Sequence, residues 1–218
     1  EFRKDRNKNG GGVMVYIRRG LPCRRIPRME PKDSEIICIE VTINKMRWGV
    51  VVFYRPPNYK SIANFMNDIS KSIENLYTKY DGIILLGDIN VNTLDDHANG
   101  IQHFKDLCDL YDLSNLIKSN TCFTKTSSSS IDVILTNKPR SFFHTHTIET
   151  GISDCHAMIA TMMRAHITRL NPIQINYRCY KKIDPMAFIE DVKHIPTLDE
   201  DTHPDDMFEN FLCNFENI

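Results

Sequence analysis

Apolar positions along the chain recur with two periods, and each predicts a different element. "GVMVYIRR" (12–19) alternates apolar and polar residues and is rich in β-formers, so it predicts a strand directly after the glycine run. "EIICIEVTI" and "RWGVVVFYR" predict two further strands, joined as a hairpin around Asn44-Lys45. "PPN" then ends the sheet pattern, because proline lacks the N–H that a ladder needs. In "SIANFMNDISKSIENLY" the period changes to that of a helix. Ile62, Phe65, Met66, Ile69, Ile73 and Leu76 fall on one face, and Ser61 is placed to cap the first turn.

"GIILLGD" (82–88) is continuously apolar, the mark of a strand covered on both faces. "IQHFKDLCDLYDL" predicts a second helix, "SIDVILTN" a strand after the serine run, and "HAMIATMMR" the last core strand. From about Leu170 the periodicity fades, and "DPMAFIEDVKHI" predicts a short amphipathic helix. The expected organisation is therefore one α/β domain over 1–169 and an extension over 170–218. Strands outnumber what simple βαβ alternation would give, which predicts a layered sandwich with antiparallel pairs. A dinucleotide fold is not indicated, because "GGG" precedes a strand and does not open a helix.

Composition narrows the class without naming a function. The 218 residues are 41% hydrophobic and 25% charged, ordinary for a globular chain. No run of about 18 apolar residues and no signal-peptide pattern occur, so neither a membrane span nor secretion is expected. Seven cysteines, scattered and without a CxxC pair, argue against a zinc ribbon or a disulfide framework and for a reducing, intracellular setting. The net charge of -1 conceals an uneven distribution. Residues 1–32 carry ten Lys/Arg against three acids, and 184–218 carry ten acids against Lys193 alone. A basic opening segment is suited to phosphates, although such runs are also common as plain solvated surface.

Chemistry concentrates where apolar strands end. Asp88 and Asn90 follow "GIILLG", Asp132 sits in "SSSSIDVILTN", and Ser153, Asp154 and His156 lie in "GISDCHA" before the last predicted strand. Each alone has a plain reading as a cap, an Asx-turn or a surface residue. Together they are carboxylates brought repeatedly to strand ends, which is how α/β folds build hydrolytic sites. The "HTH" pair, His144 and His146, would share a strand face, but two histidines without a third ligand read as polar surface.

These residues carry a resemblance. "ILLGDIN", "SSIDVILTN" and "GISD" resemble, in the same order, the motifs of the endonuclease/exonuclease/phosphatase superfamily. "GGGVMVYIRR" and "VVVFYRPPN" narrow the likeness to the apurinic-type endonuclease domain that precedes the reverse transcriptase in non-LTR (LINE-type) retrotransposon polyproteins. The match covers about Gly10 to Arg164, and the tail resembles a linker towards that reverse transcriptase.

The resemblance implies a four-layer α/β sandwich, two mixed β-sheets flanked by helices. Because the chain opens in mid-pattern and without a methionine, its first strands, with the family's N-terminal asparagine and metal-binding glutamate, are expected to be missing. The implied activity is Mg²⁺-dependent phosphodiester hydrolysis (Mn²⁺ as the alternative ion), nicking DNA for target-primed reverse transcription. The implied partners are DNA and the reverse transcriptase domain of the same polyprotein, with no membrane, in the nucleus when DNA is the substrate.

Residue by residue, the resemblance assigns Asp88 to proton transfer and Asn90 to positioning the phosphate or water. Tyr54, with Arg55 in support, and Thr124 would contact the phosphate. Asp132 would orient the histidine, Ser153 would support its loop, and Asp154 would assist the histidine or the metal. The family writes Ser-Asp-His where this chain writes Ser-Asp-Cys-His, so anchoring on Asp154 puts Cys155 in the histidine's place and turns His156 to the opposite face. A bulge would restore His156. Two alternatives stay open at this stage: a catalytically inactive truncated remnant, and a phosphatase or phosphodiesterase of the same superfamily acting on small phosphoesters.

Overall fold

The computed structural model describes residues 1–8, 10–59, 61–149, 156–165, 184–194, 206, 208 and 209. Ser153, Asp154 and Cys155 lie outside the described residues. The chain divides into two compact units, Glu1–Leu170 and Asn171–Ile218.

The first unit opens with a hairpin that the hydrophobic pattern did not predict. Strand β1 (Phe2–Asn7) pairs antiparallel with β2 (Gly10–Val15), so the polar, basic opening is sheet and the glycines lie inside a strand. Its one large apolar side chain, Phe2, is too little for a periodicity argument. A short β3 (Cys23–Arg25) leads into β4 (Glu35–Ile43) and β5 (Met46–Tyr54). These two form the expected hairpin, turning through Asn44 and Lys45 with φ of 53° and 64°. Two successive left-handed residues match the twist of paired strands, and asparagine tolerates that region better than most residues.

Helix α1 (Ile62–Tyr77) starts where expected, with the Ser61 hydroxyl accepting the Asn64 N–H at 3.1 Å. It carries the chain back to β6 (Gly82–Asp88), which runs parallel to β5. Helix α2 (Ile101–Leu110) follows, then β7 (Ser114–Asn115), the small hairpin of β8 (Cys122–Phe123) and β9 (Ser128–Ser129), and β10 (Asp132–Thr136). The unit closes with the antiparallel pair β11 (Phe142–Ile148) and β12 (Met158–Met163). In the second unit, α3 (Pro185–Lys193) is capped by the Asp184 carboxylate.

Strands β3-β4-β5-β6-β10-β7 form one mixed six-stranded sheet whose only parallel pair is β5 with β6. Alternation along its central strands sends side chains to two faces. Ile36, Cys38, Val51, Phe53, Ile83, Leu85, Val133 and Leu135 meet Phe65, Ile69, Ile73 and Leu76 of α1, and Phe104 and Leu107 of α2. Ile37, Ile39, Val41, Trp48 and Val50 face the other way and are covered by Phe2, Val13 and Val15 of the first hairpin, and by Phe142 and Met163 of the last. Each fully buried aliphatic chain here contributes about 1.5–3 kcal/mol of transfer free energy. That is why a continuously apolar "GIILLGD" needs both layers.

The described residues thus supply three layers: helices, a mixed sheet, and antiparallel hairpins. The expectation that "HAMIATMMR" forms a core strand is corrected in part. In β12, Met158 and Met162 are 51% and 54% exposed, and only alternate residues face the sheet. Among the described residues, no helix is long and apolar enough to cross a membrane.

Candidate active site

One end of the six-stranded sheet collects the polar residues. Glu35 pairs with Tyr54 across β4 and β5, Tyr54 with Asp88 across β5 and β6, and Asp88 with Asp132 across β6 and β10. Register partners point to the same face, so four polar side chains stand in a row, neighbours about 4.8 Å apart in the pairing direction. They share the face of Ile37, Val52 and Leu86, where β6 has run past its apolar cover. Gly87 permits the close approach of β6 to β5 there, since a Cβ would strike the Phe53 carbonyl oxygen.

The loop after β6 is closed by backbone and side chain together. The Asp88 carboxylate accepts the Asn90 N–H at 2.6 Å, an Asx-turn, with Asn90 left-handed at φ 50°. The Asn90 amide donates to the Arg55 carbonyl at 2.7 Å and lies 3.5 Å from Asp88 Oδ2. Arg55 returns the grip, its Nε donating to the Ile89 carbonyl at 2.6 Å and Nη2 to that of Asn90 at 3.0 Å. With 9% of its surface exposed, Arg55 clamps the loop. In this arrangement Nε and Nη2 of Arg55 are committed to the loop carbonyls, so the side chain closes the loop behind Asp88. Asn90 likewise braces Asp88 in this arrangement and does not present its amide outward.

On the other side, Thr121 ties the start of β10 in place. It is fully buried, and its hydroxyl accepts the N–H groups of Ile131 and Asp132, each at 3.2 Å. Its carbonyl accepts from Ala157 at 2.8 Å, while Cys122 forms an isolated antiparallel bridge with His156. That bridge turns His156 towards Asp132, with Nδ1 3.9 Å from Oδ2. The expectation that a one-residue shift would turn His156 to the opposite face is thus corrected by the local backbone. Asn92 also contributes, its side-chain oxygen accepting the Ser130 N–H at 3.0 Å. Thr121, buried, and Asn92, half-buried, escaped the sequence reading because a polar side chain that braces backbone N–H groups has no motif.

Asp88, Asp132 and His156 offer ligand atoms all within 4.8 Å of one another. Burial pushes the Asp88 carboxyl up to about 6; the nearby Asp132 charge adds to this, and the Asn90 N–H, His156 and Arg55 oppose it. Burial also raises Asp132, against the Thr121 hydroxyl and His156. Asp132 Oδ2 is buried with no hydrogen-bond partner, a condition shared among the described residues only by Trp48 Nε1. Two half-buried carboxylates side by side, one with an oxygen lacking a donor, suit a small hard cation, whereas an imidazole is the less natural ligand for Mg²⁺ and the better proton carrier.

The remaining predicted residues fall outside this cluster. Tyr54 belongs to the row but lies under the Arg6 guanidinium, 5.3 Å from its ring centre. Thr124 is exposed at the tip of the β8–β9 hairpin, and its hydroxyl accepts the Ser127 N–H at 3.0 Å. That fixes the turn and does not bring it to the carboxylates. His144 and His146 stack at 5.9 Å on an exposed strand face across a bulge, polar surface as expected. Four of the ten cations of the basic opening segment face carboxylates. Arg3 faces Asp5, Arg6 faces Glu35, Arg24 faces Glu40 and Arg25 faces Glu30.

No family profile matches the chain, and no curated protein does. Among solved structures it is similar to the endonuclease domain of TRAS1, a telomere-specific non-LTR retrotransposon. The two share 15% identity over 69% of this chain and 72% of that one, at a TM-score of 0.58. Looser likenesses, too weak to argue from, reach a 3′-5′ exonuclease from Neisseria meningitidis (16% identity, 58% and 64% of the two chains, TM-score 0.46) and the Xenopus laevis APE2 catalytic domain (16%, 60% and 57%, 0.44). The chain shares the fold of the TRAS1 endonuclease domain, an α/β architecture built on a mixed sheet, in agreement with the fold class expected from the sequence.

Proposed function

We propose that the chain is the endonuclease part of a non-LTR retrotransposon polyprotein, hydrolysing a phosphodiester of target DNA with the help of Mg²⁺ or Mn²⁺. The observation that carries this reading is the cluster of Asp88, Asp132 and His156, two carboxyls raised by burial with a histidine beside them. Asp132 would hold the cation, with Asp154 of the motif "GISD" available to assist it, which leaves Asp88 for the proton. When bound, the cation supplies charge neutralisation at the phosphate and at the leaving oxygen.

The side chains supply the rest. Asp88, with its carboxyl near 6, is ionised at neutral pH and still basic enough to take a proton from an attacking water, or to return one to the departing oxygen. Asn90 and Arg55 keep that carboxylate at the strand end by closing the loop behind it. His156, 42% exposed and next to Asp132, is placed to donate to a phosphate oxygen from the open side. Nicking would expose the 3′-OH from which a reverse transcriptase domain further along the polyprotein could prime, in the nucleus.

The test is nicking of supercoiled plasmid by the 218-residue chain with Mg²⁺, Mn²⁺ or EDTA, beside Asp88→Asn. Nicking that needs a divalent ion and is lost in Asp88→Asn supports the reading. Turnover of small phosphomonoesters without nicking would replace it with a phosphatase. Activity equal in chain and variant would overturn it.

A further inference from the structure

We infer that Arg6 is a DNA-backbone contact of this site, its guanidinium fixed by Glu35 and the Tyr54 ring so that it meets the phosphate next to the one brought to Asp88. This rests on the reading of the site as acting on DNA, and it assigns a binding residue that no sequence motif marks.

Four arginines of the basic opening segment face carboxylates, but they end in different places. Arg3 and Asp5 are both well exposed on the first hairpin, Arg24 meets Glu40 away from the row, and Arg25 meets Glu30. Only Arg6, among these pairs, ends on a member of the polar row, because Glu35 begins the line of register partners that runs through Tyr54 to Asp88. The pair is also lopsided. The Glu35 side chain is 10% exposed and that of Arg6 is 40% exposed, so the carboxylate anchors and the guanidinium faces out.

Glu35 engages Arg6 through Nε and Nη2. A guanidinium carries five N–H donors, and two going to Glu35 leave others for a second anion in the same plane. Its face lies 5.3 Å from the Tyr54 ring centre, which sets the plane and removes much of the freedom of a long side chain. Preorganised arginine of this kind loses little entropy when a phosphate arrives.

The glycine run supports the same assignment. Gly11 lies across the hairpin from Arg6, and a Cβ there would stand 2.8 Å from the Arg6 Cζ. Its φ of +81° is itself one that other residues resist. The hairpin therefore keeps a slot clear through which the Arg6 side chain reaches Glu35 and Tyr54.

The experiment measures duplex DNA affinity against salt, in EDTA, for the full chain, Arg6→Ala and Arg24→Ala, with plasmid nicking by the wild type in parallel. Arg24→Ala is the matched control, since it also strips an arginine from a carboxylate but away from the row. Arg6→Ala is expected to reduce the slope of log K against log salt by about 0.9, the value for one phosphate contact, and Arg24→Ala to leave it unchanged. Arg6→Gln, which keeps the stem and a hydrogen bond to Glu35, carries the same expectation should Arg6→Ala not fold.

Equal slopes for both variants and a wild type that nicks would overturn the inference and leave the catalytic reading standing. A reduced slope for the Arg6 variant with no nicking by the wild type would sink the catalytic reading and keep the inference. A wild type that does not bind DNA would overturn both.

Discussion

Two clusters of carboxylates on the same sheet are treated in opposite ways. Glu40, in the middle of β4, receives Arg24 Nη2 at 2.9 Å, the Tyr80 hydroxyl at 2.8 Å and Arg47 Nη2 at 3.1 Å on one oxygen. Its carboxyl is held down at about 2, by Arg24 above all and against the effect of burial. For Asp88 and Asp132, two and three strands away at the sheet's end, burial outweighs the donors they have, and their carboxyls rise. The difference separates holding the fold from performing chemistry. A structural carboxylate is satisfied in the folded chain, whereas a chemical one is left short so that an ion, a water or a substrate can complete it.

The comparison breaks most visibly in activity. Asp88→Asn should reduce divalent-dependent plasmid nicking by roughly 10²- to 10⁴-fold, the span of general acid–base contributions, while Glu40→Gln leaves it within about twofold. Loss of nicking in both would mean that the satisfied cluster is not merely structural. His156→Ala should come next, about 10²-fold down in the same assay. A fall of less than about threefold would remove the histidine from the chemistry.

Stability sharpens the contrast through its sign. The Asp88 carboxyl is raised from 3.8 to about 6, so its contribution is favourable below the unfolded value and is lost as pH rises towards 6. Asp88→Asn keeps an acceptor for the Asn90 N–H and removes the charge. It should stabilise the chain above pH 6 by on the order of 1 kcal/mol once partial solvent access is allowed for, and by nothing near pH 3. Thermal melts at the two pH values check this, and a destabilised variant at pH 8 would contradict it.

Glu40 runs the other way. Its carboxyl is lowered from 4.5 to about 2, so its contribution is present above the unfolded value and is lost as pH falls through that window. Arg24 and Arg47 are half exposed or more, so Glu40→Gln should cost only about 0.5–1 kcal/mol at pH 7, less as the pH falls towards 2. Urea midpoints at pH 7 and 3 measure it.

Period and punctuation carried most of the fold. The β4–β5 hairpin, α1 with its Ser61 cap, α2 and β6 were legible because each has several apolar residues at one spacing. Strand β1 was not, since "FRKDRN" has one apolar contact to make and owes its conformation to pairing with β2. Strands of two or three residues, β3 and β7 to β9, are too short for any period to show. For the site, Asp88, Asp132 and His156 were visible as polar residues at strand ends, but the working parts behind them were not. The grip of Arg55 on the Ile89 and Asn90 carbonyls, which closes the loop behind Asp88, has no sequence pattern of its own.

By itself, then, the sequence determined which segments pair and pack, because burial imposes a period on each strand and helix wherever one face must be apolar. It also placed carboxylates at the ends of those segments. Only the tertiary structure decided which of them meet. The register of β4, β5, β6 and β10 sets Glu35, Tyr54, Asp88 and Asp132 side by side, and a bridge to Cys122 turns His156 to face Asp132. Those neighbours are 19 to 44 residues apart in the chain, and their proximity is a property of strand pairing that no local pattern encodes.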